Sequence, residues 1–208
     1  MIVKTIDNFL KKDHLDAISS IKIELPTKNE IKVYHNKITK NGEINAECIP
    51  EKFLRELNDT YHNIALELLR ELNPKKEILY DFSEFHIIIT GPDASFPIHD
   101  DTADKLLSGV IYIKPENSSG TNFYETKNGK GKKTIEWKIN RGVFFSRKER
   151  ETWHSYKGDG KDFRVALVYN LMTNDLKKVA EIENKNYLLS IIRNKINPYI
   201  FRYFKKIF

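Results

Sequence analysis

The chain has 208 residues, of which 40% are hydrophobic and 31% charged, a balance that excludes a disordered or fibrous polypeptide and suits one folded domain with a sizeable core. The formal charge of +6 is concentrated at one end: after Glu183 come Lys185, Arg193, Lys195, Arg202, Lys205 and Lys206 and no acidic residue, so the body is formally neutral and no specific nucleic-acid groove is expected. No run approaches the roughly 20 apolar residues of a membrane span, the N-terminus lacks an apolar signal core, and the single cysteine, Cys48, permits no internal disulfide, all of which read as a cytoplasmic protein.

In chain order, residues 1–6 read as a short strand, and Asp7 is placed to cap a helix running through Phe9, Leu10, Leu15, Ile18 and Ile21. From Pro50-Glu51 a longer helix is predicted, because Phe53, Leu54, Leu57, Tyr61, Ile64, Ala65, Leu68, Leu69 and Leu72 recur at intervals of three and four; Asn73-Pro74 ends it. Its continuous apolar stripe implies support for a sheet.

Beyond Pro74 the texture changes to short β-branched and aromatic runs between turn residues. Strands are predicted at Phe85–Thr90, Phe96–Asp101, Ser108–Lys114, Thr121–Glu125, Thr134–Ile139, Gly142–Ser146, Thr152–Tyr156 and Arg164–Leu171. The connections fall at Gly91-Pro92-Asp93, Asn117–Gly120, Asn140-Arg141 and Gly158-Asp159-Gly160, with Asn128-Gly129 as an exposed hairpin tip. Strands at this spacing suggest a sandwich or jelly-roll barrel, whose mouth is a natural ligand site.

Within Phe96–Asp101, His99 and Asp101 are two residues apart, so on a strand they share one face while Asp100 points away; a bulge there would exchange the faces. Alone the triplet is weakly specific. A second imidazole, His154 beside Trp153, completes two histidines and one carboxylate, the facial set that leaves open positions on non-haem Fe(II). Arg164 follows across a tight turn, on a strand expected to run antiparallel to that of His154. Its forked guanidinium suits the carboxylate of a dicarboxylate cosubstrate.

These residues carry a resemblance. With the strand Ser108-Gly109-Val110-Ile111-Tyr112-Ile113, Gly120 leading into Asn122-Phe123, and Gly142-Val143-Phe144-Phe145, the chain resembles, over roughly residues 80–173, an Fe(II)/2-oxoglutarate-dependent dioxygenase of the prolyl-4-hydroxylase-like branch. The resemblance implies a double-stranded β-helix (jelly-roll, cupin-like) with iron on His99, Asp101 and His154. It also implies that Arg164 and Tyr112 bind the distal carboxylate of 2-oxoglutarate, with O2 as the third reactant and ascorbate in support. The reaction implied is hydroxylation of a C–H bond coupled to decarboxylation of 2-oxoglutarate to succinate and CO2. Where relatives often place a tyrosine before the His-x-Asp motif, this chain has Ile87-Ile88-Ile89-Thr90. Asn170, Val168, Ile89 and Trp153 are candidates to line the pocket, and His86 reads as structural.

The expected organisation is one dioxygenase domain, mainly β with flanking helices: residues 1–79 an N-terminal strand and supporting helices, 80–173 the β core, and 174–208 a basic amphipathic helical tail broken at Pro198. The tail is expected to dock on the body, with self-association or an anionic membrane surface as its other roles through 185–208. Loops 102–107 and 126–133 are expected as lids. The substrate is open between a peptide proline, a carbohydrate and a small metabolite. A non-catalytic metal-binding β-barrel module with a basic tail is the alternative reading; a zinc hydrolase is disfavoured because no glutamate base accompanies the ligands at metalloprotease spacing.

Overall fold

The structure is a computed structural model, and it describes residues 2–192 and 196. The N-terminal segment forms β1 (Lys4–Ile6) and α1 (Lys12–Ser20), then three short strands, β2 (Ile31–Tyr34), β3 (Asn36–Thr39) and β4 (Ile44–Ala46), before the long helix α2 (Glu51–Leu72) and a 3-10 turn at Pro74–Leu79. The remaining strands are β5 (Phe82–Thr90), β6 (Ser95–His99), β7 (Lys105–Lys114), β8 (Thr121–Tyr124), β9 (Lys133–Ile135), β10 (Gly142–Phe145), β11 (Trp153–Lys157) and β12 (Arg164–Met172), followed by α3 (Leu176–Ile182).

All strand pairings are antiparallel and fall into two sheets. The larger has the order β1-β10-β7-β12-β5-β3-β4, with β2 beside β3 along the same edge of β5; the smaller has the order β6-β11-β8-β9. This is the jelly-roll arrangement expected from the sequence. Along β12 the alternation of the pleat sends Leu167, Tyr169 and Leu171 to one face and Ala166, Val168 and Asn170 to the other. The first face packs on α2 through Leu54, Leu57, Tyr61, Ala65 and Leu69, all at most 2% exposed. The second face looks toward the smaller sheet, where Tyr112, Val143, Phe145 and Phe123 form a second apolar cluster.

Several boundaries differ from the sequence reading for identifiable reasons. Asp7 caps no helix: its carboxylate pairs with Arg141 (2.6 Å) and Lys138 (2.8 Å), which hold the carboxyl well below the usual range, and α1 begins only at Lys12. The segment before it is pinned by Asn140, whose side chain accepts from Leu10 N and donates to Leu10 O at 2.8 Å each. Strands β2, β3 and β4 belong to the expected N-terminal unit of helices, yet they extend the main sheet along β5. Their corner is fixed by Asn36, fully buried, whose Oδ1 accepts from the backbone N of Glu47, Cys48 and Ile49 while its Nδ2 donates to Phe85 O. Residues 105–107, expected in a loop, already belong to β7. The hairpin tip at Asn128-Gly129 joins β8 to β9, with Gly129 in the left-handed region (φ +88). After α3, residues 187–192 are helical. The expected break at Pro198 lies outside the described residues, among which no helix is long and apolar enough to cross a membrane.

Candidate metal centre and its cavity

His99 ends β6 and His154 lies on the adjacent β11, and the two are register partners with ring centroids 4.1 Å apart. Asp101 follows β6 rather than lying on it, and reaches the same point from beyond the strand end. One ligand atom from each of His99, Asp101 and His154 lies within 4.8 Å of the others, and all three side chains are at least nine-tenths buried.

The protein sets the state of each donor. His99 Nδ1 lies 3.0 Å from Pro97 O, and His154 Nδ1 lies 3.0 Å from Thr152 O, in each case the carbonyl two residues earlier. A carbonyl only accepts, so Nδ1 carries a proton in both rings and Nε2 is left as the ligating nitrogen of each. Burial, with the neighbouring His154, pushes His99 down to about 3, so its ring is neutral at ordinary pH. Asp101 is held the other way. Burial opposes its ionisation, but the Lys105 ammonium beside it outweighs that, and the carboxyl stays below the usual carboxylate range. Its Oδ1 accepts from Lys105 Nζ (2.8 Å) and its Oδ2 from Ser108 Oγ (2.6 Å). Two imidazoles, each with Nδ1 committed to a carbonyl, and one anchored carboxylate form a donor set that fits a divalent first-row metal, with no fourth protein ligand among the described residues.

Asp100 borders the same cavity, but its Oδ2 is occupied by Arg150 N at 2.8 Å. The middle residue of the triplet therefore fixes the turn that leads into β11, where Arg150 adopts a left-handed φ of 62°.

The centre opens into one cavity of about 380 Å³ between the two sheets. Arg164 lines it from β12, 3% exposed, with its guanidinium 5.0 Å from the ring centres of Trp137 and Tyr156 and 5.5 Å from that of Tyr112. Its Nε has no hydrogen-bond partner, and no carboxylate among the described residues pairs with it. Burial pushes it below its ordinary value, while Tyr112 and Tyr156 oppose that shift. A buried cation walled by aromatic faces and lacking an anion has the chemistry to pair with a carboxylate.

β12 is not a hairpin partner of β11: the two lie in different sheets, and residues 158–163 carry the chain across. Arg164 and His154 thus face each other across the cavity. Asn170 and Val168 line it too. Asn170 Nδ2 donates to Glu84 Oε2 (3.1 Å), which fixes the amide, while its buried Oδ1 has no hydrogen-bond partner. Ile89 instead belongs to the core against α2. Trp153 points off the cavity face, its Nε1 donating to Arg150 O. Tyr112 is fully buried, stacks on Trp137 and donates its hydroxyl to Thr121 Oγ1 (2.8 Å), so it touches the Arg164 guanidinium with its ring. His86 sits outside the cavity, against Glu84 (3.1 Å) and Asn36 N.

Sequence reasoning missed Tyr156, Lys105 and Ser108. Tyr156 is two residues from His154 and so shares its face; burial raises its phenol to about 12, keeping it a proton donor beside Arg164. Strand parity was the available signal for it.

Neither a protein-family model nor a curated protein matches the sequence. The fold is that of the 2OG-Fe(II) oxygenases. The chain is similar to a prolyl-4-hydroxylase from Pseudomonas putida, with a TM-score of 0.55 at 15% identity over 83% of this chain and 92% of that one. It is also similar to a 2OG-Fe(II) oxygenase family oxidoreductase from Burkholderia pseudomallei (TM-score 0.53, 15% identity, 82% and 84% covered). A third similar structure is IDO from Bacillus thuringiensis (TM-score 0.54, 11% identity, 83% and 90% covered).

Proposed function

We propose that this chain is an Fe(II)- and 2-oxoglutarate-dependent oxygenase, a hydroxylase of the prolyl-4-hydroxylase-like kind. The observation that carries the reading is the conjunction, in one buried cavity, of a His-Asp-His donor set and an arginine without an anionic partner. When bound, Fe(II) with 2-oxoglutarate and O2 supplies the oxidising chemistry, the cosubstrate leaving as succinate and CO2 while a C–H bond becomes C–OH.

The residues divide the remaining work. His99, Asp101 and His154 hold the metal, and Ser108 and Lys105 hold Asp101. Arg164 pairs with the distal carboxylate of the cosubstrate. Tyr156 lies against the guanidinium, and its protonated hydroxyl donates to the same carboxylate. Val110, Val143, Phe145 and Val168 keep water from the intervening space. The substrate enters past Ile31 and Val33, the half-exposed part of the lining.

The reading is tested by incubating purified protein with Fe(II), ascorbate and 2-oxoglutarate and measuring succinate. Slow release without a prime substrate is expected, and His99→Ala abolishes it. Metal binding with neither 2-oxoglutarate binding nor succinate formation would make the chain a metal-binding module.

A further inference from the structure

The triplet that carries two metal ligands is braced from behind by one short segment. Arg150 N donates to Asp100 Oδ2 (2.8 Å) and Arg147 Nε donates to Asp101 O (3.1 Å). The same segment leads directly into β11 and His154. Residues 147–150 therefore touch the backbone or side chain on both sides of the bond joining Asp100 to Asp101, and set where the third ligand begins.

What holds this segment is itself charged and buried. Arg147 is 2% exposed, and its Nη1 donates to Glu183 Oε2 at 2.7 Å. Glu149 N donates to that same oxygen at 2.9 Å. The other Glu183 oxygen accepts from Lys76 Nζ (2.6 Å), which also donates to Arg147 O. Glu149 accepts in turn from Ser190 Oγ. Two cations and two carboxylates thus compensate one another inside the protein. Glu183 ends α3, and Ser190 lies in the helical stretch after it, so the far end of the network belongs to the C-terminal segment.

We propose that Arg147 is a positioning residue for the metal ligand Asp101, and that Glu183 and Glu149 latch it, so that metal occupancy and the seating of residues 183–190 are coupled. The inference rests on the metal-centre reading. Apolar side chains would fill such a space with less desolvation cost, and they would not aim a donor at the carbonyl of a ligand residue. The direction of the coupling follows from geometry. Unseating 183–190 removes Glu183, the acceptor of both Arg147 Nη1 and Glu149 N, and Ser190, the donor to Glu149, and so loosens the hold on Arg147 and on Asp101 O. Coupling of this kind is reciprocal, so metal binding must tighten 183–190.

The test uses the full chain with Mn(II) and Co(II) as probes. Backbone amide exchange of the unmodified protein is compared with and without Mn(II): slower exchange in peptides covering both 147–151 and 183–190 is expected, and unchanged exchange in both would overturn the coupling. In parallel, Arg147→Lys keeps the charge and loses the planar fork. It is expected to weaken Co(II) binding about tenfold and to alter the Co(II) absorption spectrum, with the melting temperature of the metal-free protein near that of the unmodified chain. A lowered melting temperature with unchanged Co(II) affinity and spectrum would show a structural role only and overturn the assignment. Should Arg147→Lys not fold, the exchange comparison still decides. An unmodified chain that binds neither ion would refute the metal centre itself, a result distinct from intact binding without coupling.

Discussion

At the residue scale, the centre is built by controlling which atoms hold protons. Each imidazole is oriented by the carbonyl two residues before it, and the carboxylate is oriented by one hydroxyl and one ammonium. A hydrogen bond to a charged group contributes about 1.5–3 kcal/mol, so Ser108→Ala should weaken Co(II) binding about tenfold while the far-ultraviolet dichroism stays unchanged. Titration of Co(II) absorbance measures this. Outside the centre, His62 on α2 is half-buried with Nδ1 unpartnered, and burial pushes its ring below the ordinary 6.5. A folded-state value below the unfolded one means that the unfolded chain binds the extra proton. The corresponding stability is present above about pH 6.5 and is lost as pH falls below it. The urea midpoint of the unmodified protein should therefore drop more between pH 7.5 and pH 5 than that of His62→Gln.

At the element scale, β7 and β12 form the wall that carries Ser108 behind Asp101 and Arg164 in the cavity. β7 needs its glycine: a Cβ at Gly109 would lie 2.5 Å from the Phe144 ring and 2.6 Å from Tyr169 O. Gly109→Ala should therefore cost about 1–3 kcal/mol by overpacking, read as a lowered urea midpoint. α2 supports the same wall from behind. Leu57, fully buried there, should cost about 2–5 kcal/mol on truncation to alanine. These elements differ in how far they could be read in advance. α2 was legible from Glu51 to Leu72 because nine apolar residues repeat at helical intervals over six turns' worth of chain, and no tertiary contact contradicts them. β2, β3 and β4 are three or four residues each, too short to show a period, and their placement depends on the β5 edge and on Asn36. Asp7 looked like a cap by position. Only the approach of Arg141 and Lys138, more than a hundred residues on, decides otherwise.

At the scale of the whole molecule, the two sheets bring together what is far apart in sequence. The conjunction of His99, Asp101 and His154 with Arg164 and Tyr112 was enough to single out the donor set, although Asp101 lies beyond the end of β6 and not, as parity had it, on the strand. It was not enough to relate His154 to Arg164. Their order suggested a hairpin, whereas the chain changes sheets between them, at a crossing where a Cβ on Gly158 would lie 2.1 Å from Pro92 O. Such a crossing has no local period to reveal it. The same crossing places the arginine opposite His99, Asp101 and His154 and makes the space between them a cavity. That opposition is the central claim, and it is tested most directly by calorimetric titration of 2-oxoglutarate into the Mn(II)-loaded protein. Binding that requires Mn(II) and weakens by at least tenfold in Arg164→Met is the expected result. Binding indifferent to the metal, or unaffected by loss of the guanidinium, would contradict it.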